Sequence, residues 1–427
     1  MIKKFTNNKN IASVSFGDHL VFGERDGKLL TPETLNRRMK YWHNEMGAIA
    51  LHWRQIRYHI KHGLFFAESG LKQPLDRIKN NLEWDDFEIV PKLAHENGMK
   101  ANLYVSLFDE GWPLLPKEER EISYHNKMHY QHVSWQSKFS HDHPEYAVTD
   151  KSGLKKQWGV LSLAYEQVRK YFVKLYLDLL DGYDFDGLFL CFRSQSKPAE
   201  FADQFNFNEP VRRDFQKIYG VDILKDDFDL QNWRDLVGKY ITDFLIRLRD
   251  ELNRKNISLS VGLPRGDILG PPLGNITLEW RKWVYDGLVD ELIINQNSCQ
   301  CPSMWHKLWP MHVGSGYKQN YLEGYNLPTL KEHLRKTYFP VVSKAPVKLY
   351  IARQWNQRSE KEESEFANFK ILDVLSLPLG VVTLAEECGI YEINNDCYQK
   401  MVRDIAEQLP AFCERNNIKQ EVTANNV

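Results

Sequence analysis

Four arginines directly follow stretches of the sequence that resemble buried β-strands. They are Arg54, Arg193, Arg265 and Arg353. A guanidinium group binds carboxylate or sulfate in a bidentate manner and stays charged when it is partly removed from water. If the strands are parallel neighbours, the four arginines meet at one edge of the sheet, which predicts a site for a small anionic substrate. The alternative is that each arginine pairs with an acidic neighbour such as Asp109, Glu209 or Glu386.

Carboxylates near the same strand ends are a second set of groups that could do chemistry. Hydrolysis of a glycosidic bond normally uses two of them, ~5–5.5 Å apart for retention or ~6.5–9.5 Å apart for inversion of configuration. Many sugar-cleaving barrels carry these acids after the fourth and seventh strands, where this chain has Cys191 and Arg353. A pair drawn from strands three or four and strand eight is the remaining option. The candidate catalytic acids are Asp109, Glu209, Glu386 and Glu387.

His141 and His143 would support a different reaction. A histidine or tyrosine could take the proton next to the carboxylate of a uronic acid, while arginine stabilises the enolate-like charge. This elimination releases water or a sugar and needs no pair of carboxylates. The same histidines could bind a metal, but the sequence shows no evident third ligand, so we expect no metal or other cofactor.

Aromatic residues make up 13% of the chain, and two long segments, 108–163 and 297–327, each carry several of them. Flat rings exposed in a groove suit the apolar faces of sugars, with polar groups at the rim. The alternative is that these rings pack the two segments onto the rest of the fold. Besides the four arginines, the candidate substrate contacts are His52, Trp53, Trp112, Trp158, Asn208, Gln296 and Trp305.

The elements that would position these side chains recur as short apolar runs separated by amphipathic stretches. Eight strand-helix alternations predict one (β/α)8 TIM barrel domain over residues 1–427, with functional loops at the C-terminal ends of the strands. An open, doubly wound sheet is the alternative, but the sequence lacks its glycine-rich turn after the first strand. The predicted strands are 11–17, 47–53, 100–107, 186–192, 257–263, 290–296, 347–352 and 380–385, and the predicted helices begin at Thr31 or span 84–97, 164–181, 230–254, 277–285, 328–337 and 360–377.

The overall composition narrows the class of partner. Fifty-six Lys and Arg against 57 Asp and Glu give a net charge of −1, which argues against bulk electrostatic binding to nucleic acid or an anionic membrane. No apolar run reaches the ~18–20 residues of a membrane span. No signal peptide is visible, so we expect a cytoplasmic location, or a periplasmic one if a signal was removed. Six scattered cysteines do not indicate a disulfide framework.

Several short motifs resemble the glycosyl-hydrolase-like barrels called family 10-like, which are distinct from true family 10 xylanases. The similarity runs from about residue 30 to 390 and implies a TIM barrel that acts on carbohydrate. Cys191 stands where that family commonly carries an acid. The matching motifs are SHDHPEY at 140–146, LSLAY at 161–165, YDFDGL at 183–188, FNEPV at 207–211, YGVD at 219–222, DFDLQNWR at 227–234 and DELI at 290–293.

Together these features predict a carbohydrate-active enzyme for acidic oligosaccharides that contain uronic acid or sulfate. Hydrolysis of a glycosidic bond is the first interpretation. The alternatives are a dehydratase or lyase that works by elimination, and a non-catalytic barrel that binds sugar. The expected partner is an anionic oligosaccharide, and the sequence does not determine the sugar, the linkage or the oligomeric state.

Overall fold

Eight parallel strands form the closed sheet at the centre of the fold. Their order around the sheet is β1-β2-β4-β8-β9-β10-β11-β12, and β12 pairs again with β1. The computed structural model describes residues 10–14, 31–55, 61–67, 84–114, 133–194, 199, 201–264, 266–270, 273–294, 333–353 and 379–384. The strands are β1 (Asn10–Val14), β2 (Ala48–Arg54), β3 (Gly63–Ala67), β4 (Lys100–Phe108), β5 (Val133–Ser137), β6 (Ala147–Thr149), β7 (Lys156–Leu161), β8 (Gly187–Ser194), β9 (Ser258–Gly262), β10 (Glu291–Ile294), β11 (Lys348–Arg353) and β12 (Leu379–Leu384).

Helices connect successive strands of this sheet along the described chain from β1 to β11. The first begins as predicted, because Thr31 accepts a hydrogen bond from the backbone of Thr34 and Pro32 occupies the first turn. Gly47 ends the same helix in the left-handed conformation. The helices are α1 (Pro32–Met46), α2 (Asp86–Glu96), α3 (Lys138–Asp142), α4 (Glu166–Leu180), α5 (Glu209–Tyr219), α6 (Leu230–Arg254), α7 (Trp280–Tyr285) and α8 (Phe339–Val342), which follows a π-helical turn at Leu334–Tyr338.

All eight predicted barrel strands are confirmed to within a few residues. The predicted helix over 360–377 lies outside the described residues. Helix α5 and two antiparallel pairs, β3 with β5 and β6 with β7, were not expected from the sequence. No described helix is long and apolar enough to cross a membrane.

The sheet separates two buried cores because successive side chains of a strand point to opposite faces. Leu51, Leu103 and Leu190 belong to the large core that includes the helices. A smaller cluster belongs to the opposite face, the interior of the barrel, which side chains normally fill. Its apolar members are Ile11, Ala50, Tyr104, Phe189, Cys191, Ile293 and Tyr350.

The segment after β4 is ordered structure where it is described. The β3–β5 pair and the β6–β7 pair lie within or against this segment, and Gly111 forms an isolated bridge to Gln136. Gly111 has φ +69°, and a Cβ atom there would lie 2.0 Å from the backbone oxygen of Trp135. Only glycine fits this close approach. It fixes the path of the chain just beyond the end of β4, where the candidate site lies.

Candidate functional site

An ion pair between two neighbouring strands lies at the C-terminal end of the barrel. Arg54 is the last residue of β2, and Asp109 directly follows β4. Nη2 of Arg54 donates to Oδ2 of Asp109 at 3.2 Å, and Nη1 donates to Ser106 Oγ. The guanidinium also lies 5.0 Å from the ring centre of Tyr104, a cation–π distance. Arg54 is therefore held by side chains of β4 and of the residue that follows it.

The two partners differ in exposure. The Arg54 side chain is 5% exposed, whereas that of Asp109 is 13% exposed. A buried guanidinium without an acid would be strongly unfavourable, so Asp109 supplies a needed counter-charge. For Arg54, the alternative that a neighbouring acid neutralises the arginine is confirmed.

The other three predicted arginines are described only in part. Arg193 lies in β8 and Arg353 is the last residue of β11, which places both backbones near the same ends of the sheet as Arg54. Their side chains, and all of Arg265, lie outside the described part of the structure. A cluster of four arginines therefore stays a prediction.

The carboxylates predicted for catalysis are in different environments. Glu209 is the first residue of α5, with a side chain 66% exposed and 3.8 Å from Arg212. Glu110, one residue beyond Asp109, is buried and accepts a hydrogen bond from the Tyr171 hydroxyl at 2.9 Å. Glu386 and Glu387 lie outside the described residues. Among the described candidate acids, Asp109 is thus the one that directly follows a barrel strand and contacts an interior side chain, that of Arg54.

His141 and His143 lie on the surface, in α3 and at its C-terminal end. His141 Nδ1 is 3.0 Å from Asp142, and His143 Nδ1 is 3.1 Å from Glu145. Hydrogen bonds from Lys138 and from His141 hold the pKa of Asp142 below its usual range. The structure therefore pairs these histidines with nearby surface acids, and the described residues contain no group of three potential metal ligands.

Two predicted substrate contacts, Trp53 and Asn208, are buried and hydrogen-bonded within the fold, and their contact with substrate stays a prediction. Trp53 is fully buried, and its indole N–H donates to Asp86 of α2 at 2.7 Å. Its strand neighbours His52 and Arg54 face the barrel interior, so alternation directs Trp53 toward the helices. Asn208 is also buried: its amide nitrogen donates to Ala147 O at 2.9 Å, and its oxygen accepts from Thr149 N at 3.3 Å. This side chain attaches α5 to β6.

The predicted tryptophans of the first long segment serve mainly as packing groups where they are described. Trp112 is 5% exposed, and its backbone N–H donates to Trp135 O at 2.8 Å. Trp158 is half-buried on β7, with Lys156 Nζ 5.3 Å from its ring centre. Gln296 and Trp305 lie outside the described residues. Of the described aromatic candidates, Trp158 is the one that retains partial exposure.

His52 lies on the interior face of β2, two residues before Arg54 along the strand. It is fully buried and stacks on Phe189 of β8, with ring centres 4.1 Å apart. Burial lowers the pKa of His52 to about 3, so the ring is neutral near pH 7. The ring has no exposed surface in this structure, and the predicted contact of His52 with substrate stays a prediction.

Comparisons with known proteins found no matching family model and no matching curated protein. The resemblance to family 10-like barrels therefore stays a prediction. The solved structures similar to this chain include several glycoside hydrolases. A maltogenic alpha-amylase from Thermotoga neapolitana is 11% identical, with 88% of this chain and 67% of that chain covered and a TM-score of 0.42.

Two further solved structures belong to the same broad class of enzymes. The glycoside hydrolase domain of PgaB from Bordetella bronchiseptica is 12% identical, with 87% and 93% of the two chains covered and a TM-score of 0.45. A GH36 alpha-galactosidase from Geobacillus stearothermophilus is 10% identical, with 94% and 42% covered and a TM-score of 0.40. At these low scores, no residue role is transferred from any of the three.

Proposed function

We propose that the protein is a carbohydrate-active enzyme whose site lies at the C-terminal ends of the barrel strands. The observation that carries this proposal is the Arg54–Asp109 pair: a partly exposed carboxylate held at a strand end by a nearly buried guanidinium. Loops at this end of a parallel barrel carry the functional groups of such enzymes. The motif resemblance to glycosyl-hydrolase-like barrels supplies the substrate class.

Hydrolysis of a glycosidic bond is the reaction we favour, with Asp109 as one of two acids. Glu386 or Glu387 is the proposed second acid, because these residues follow β12 in the sequence by two and three positions. Parallel strands of a closed sheet end on the same side, so β12 and β4 deliver their following residues to one mouth. Glu209 is a weaker candidate because its side chain is largely exposed and close to Arg212.

An acidic oligosaccharide is the proposed substrate. Arg54 already has Asp109 as its counter-charge, so recognition of substrate carboxylate or sulfate is assigned to Arg193, Arg265 and Arg353. A guanidinium can bind such a group through two parallel hydrogen bonds. The complete (β/α)8 architecture belongs to the same proposal, with a helix over 360–377 as the connection between β11 and β12.

The test of the reaction is the turnover of acidic and neutral oligosaccharides by the wild type and by Asp109→Asn. Amide replacement keeps the shape of the side chain but removes proton transfer and also the counter-charge of Arg54. Urea denaturation first establishes that the variant is folded, and we then expect its rate to fall at least ~10²-fold. Glu209→Gln provides the comparison on an exposed acid and should lose far less activity. New reducing ends report hydrolysis, and ultraviolet absorbance of an unsaturated product reports elimination.

Three outcomes would contradict hydrolysis with Asp109 as an acid. Full activity of Asp109→Asn would remove this residue from the mechanism. An unsaturated product in place of new reducing ends would establish elimination. Saturable binding of oligosaccharide with no product by either assay would identify a sugar-binding barrel without catalytic activity.

Charge selectivity is tested separately with Arg193→Ala. Loss of one charge-assisted contact of ~1.5–3 kcal/mol corresponds to a decrease of about 10- to 150-fold in kcat/KM on a carboxylated or sulfated substrate. A neutral analogue of the same length should be turned over at nearly the wild-type rate. Equal losses on the two substrates would show that Arg193 has a structural role.

A further inference from the structure

Three polar side chains lie side by side in the interior of the barrel, below the Arg54–Asp109 pair. Ser13 of β1 is in register with His52 of β2, and His52 is in register with Asn102 of β4. All three are at most 3% exposed. Interior layers of such barrels are normally dominated by bulky branched apolar residues, so this polar row needs an explanation.

Four hydrogen-bonding atoms of this row have no partner within the described part of the chain. They are Ser13 Oγ, Nδ1 and Nε2 of His52, and Asn102 Oδ1. Buried polar atoms in folded proteins are nearly always hydrogen-bonded to protein or to ordered water. Four unsatisfied atoms on three adjacent strands therefore mark one site rather than separate defects.

Small residues continue the row on the next two strands. A Cβ atom on Gly187 of β8 would lie 2.6 Å from Asn102 Oδ1 and 2.3 Å from Ser258 Oγ. The Ser258 hydroxyl already donates to the backbone oxygen of Asp186 at 3.1 Å. The missing side chain of Gly187 thus accommodates the Asn102 amide and the Ser258 hydroxyl, and the polar row continues onto β8 and β9.

The donors and acceptors of the row define the chemistry of that ligand. A neutral imidazole offers one N–H donor and one acceptor nitrogen, the Ser13 hydroxyl can donate or accept, and Asn102 Oδ1 only accepts. An anion would meet the acceptor Asn102 Oδ1 and a neutral imidazole, while the nearby Arg54 already has Asp109 as its counter-charge. The described residues include no metal-binding group of three. Water both donates and accepts, and it needs two to four polar partners in an enclosed site.

We propose that two internal water molecules occupy the barrel interior, one bound to each ring nitrogen of His52, and link the ring to Ser13 Oγ and to Asn102 Oδ1. Two are required because the ring nitrogens point in divergent directions, so that a single water molecule cannot reach both. The waters form a polar layer beneath Arg54, which follows His52 by two residues on the same face of β2. This hydration site does not depend on the reaction proposed for the mouth.

The experiment is oxygen-17 magnetic relaxation dispersion, which counts water molecules held inside a protein for long times. His52→Phe keeps a flat ring that can stack on Phe189 but removes both nitrogens. We expect this variant to lose at least one long-lived water relative to the wild type. Ser260→Ala is the matched control: Ser260 is equally buried on β9, but its hydroxyl donates to Glu291 at 2.6 Å and needs no water. This control should lose no long-lived water.

An unchanged number of long-lived waters in folded His52→Phe would overturn the proposal. If that variant does not fold, a high-resolution crystal structure of the wild type decides the question. Density for water within hydrogen-bonding distance of His52 and of Ser13 or Asn102 would support the site. A dry row, in which the imidazole bonds directly to Ser13 or Asn102 or keeps unsatisfied nitrogens, would refute it.

Discussion

Replacement of His52 by glutamine should flatten the dependence of folding stability on acid pH. Burial lowers the pKa of His52 to about 3 in the folded protein, while the unfolded chain has the ordinary value of ~6.5. The unfolded state therefore takes up a proton first as the pH falls. The free energy of unfolding is unaffected by this group above pH ~6.5 and decreases steadily between ~6.5 and ~3.

The magnitude follows from the two pKa values. At pH 5, which is about 1.5 units below the pKa of the unfolded imidazole, the unfolded chain binds a proton at this residue. The folded imidazole remains neutral at that pH. At ~1.36 kcal/mol per unit, the wild type should lose about 2 kcal/mol of unfolding free energy between pH 8 and pH 5 through this residue alone. Hydrogen bonds from internal water would make the loss smaller without changing its sign.

The assay is urea denaturation followed by tryptophan fluorescence at pH 8, 6 and 5. His52→Gln should be less stable than the wild type at pH 8, because it loses the stacking contact with Phe189. Its further loss between pH 8 and pH 5 should be smaller than that of the wild type by up to about 2 kcal/mol. Ser13→Ala is the control, since it changes the adjacent interior position without removing a titratable group. If His52→Gln keeps the wild-type pH dependence, the buried neutral histidine is not its source.

Two further predictions concern the framework around the site, and both are read out by urea denaturation. Arg234→Ala should destabilise the protein by about 3–5 kcal/mol, because it leaves the nearly buried Asp203 without its counter-charge. Arg247→Ala on the same helix breaks an exposed pair and should cost less than about 1 kcal/mol. Similar losses for the two arginines would argue against this role of burial. Gly111→Ala should destabilise far more than Gly153→Ala, because both glycines have positive φ but only at Gly111 would a Cβ strike neighbouring backbone. Equal effects would mean that backbone conformation alone accounts for the cost.

The barrel strands could be predicted because each is a short apolar run with its own local signal. Helix α5 was not predicted, although the sequence carries two signals for it. Pro210 lies in its first turn, and Gly220, a residue that readily adopts the left-handed conformation, directly follows its end. The antiparallel pairing of β3 with β5 joins residues about seventy positions apart. Such pairing depends on tertiary packing, and no pattern within either segment specifies it.

The placement of the site residues depends on the alternation of side chains between the two faces of a strand, and this alternation can be read from the sequence. His52 and Arg54 share the interior face of β2, and Trp53 between them must face the helices. The sequence prediction treated all three as residues of the mouth. It identified the strand end correctly but did not separate the two faces. The burial of Asn208 had no such signal, because its partners are backbone atoms of a hairpin that was itself not predicted.

The partner of Arg54 is set by the register between β2 and β4. Arg54 lies opposite Tyr104 in that register, which brings its guanidinium to Ser106 and, past the end of the strand, to Asp109. Replacing Arg54 would remove a cation and also leave the proposed catalytic acid without its counter-charge. Loss of activity in that variant would therefore have two explanations: Arg54 binds an anionic substrate, or Asp109 no longer works as a catalytic acid without Arg54. Arg193 is the better position for the test of charge selectivity, because its replacement leaves both members of the Arg54–Asp109 pair in place.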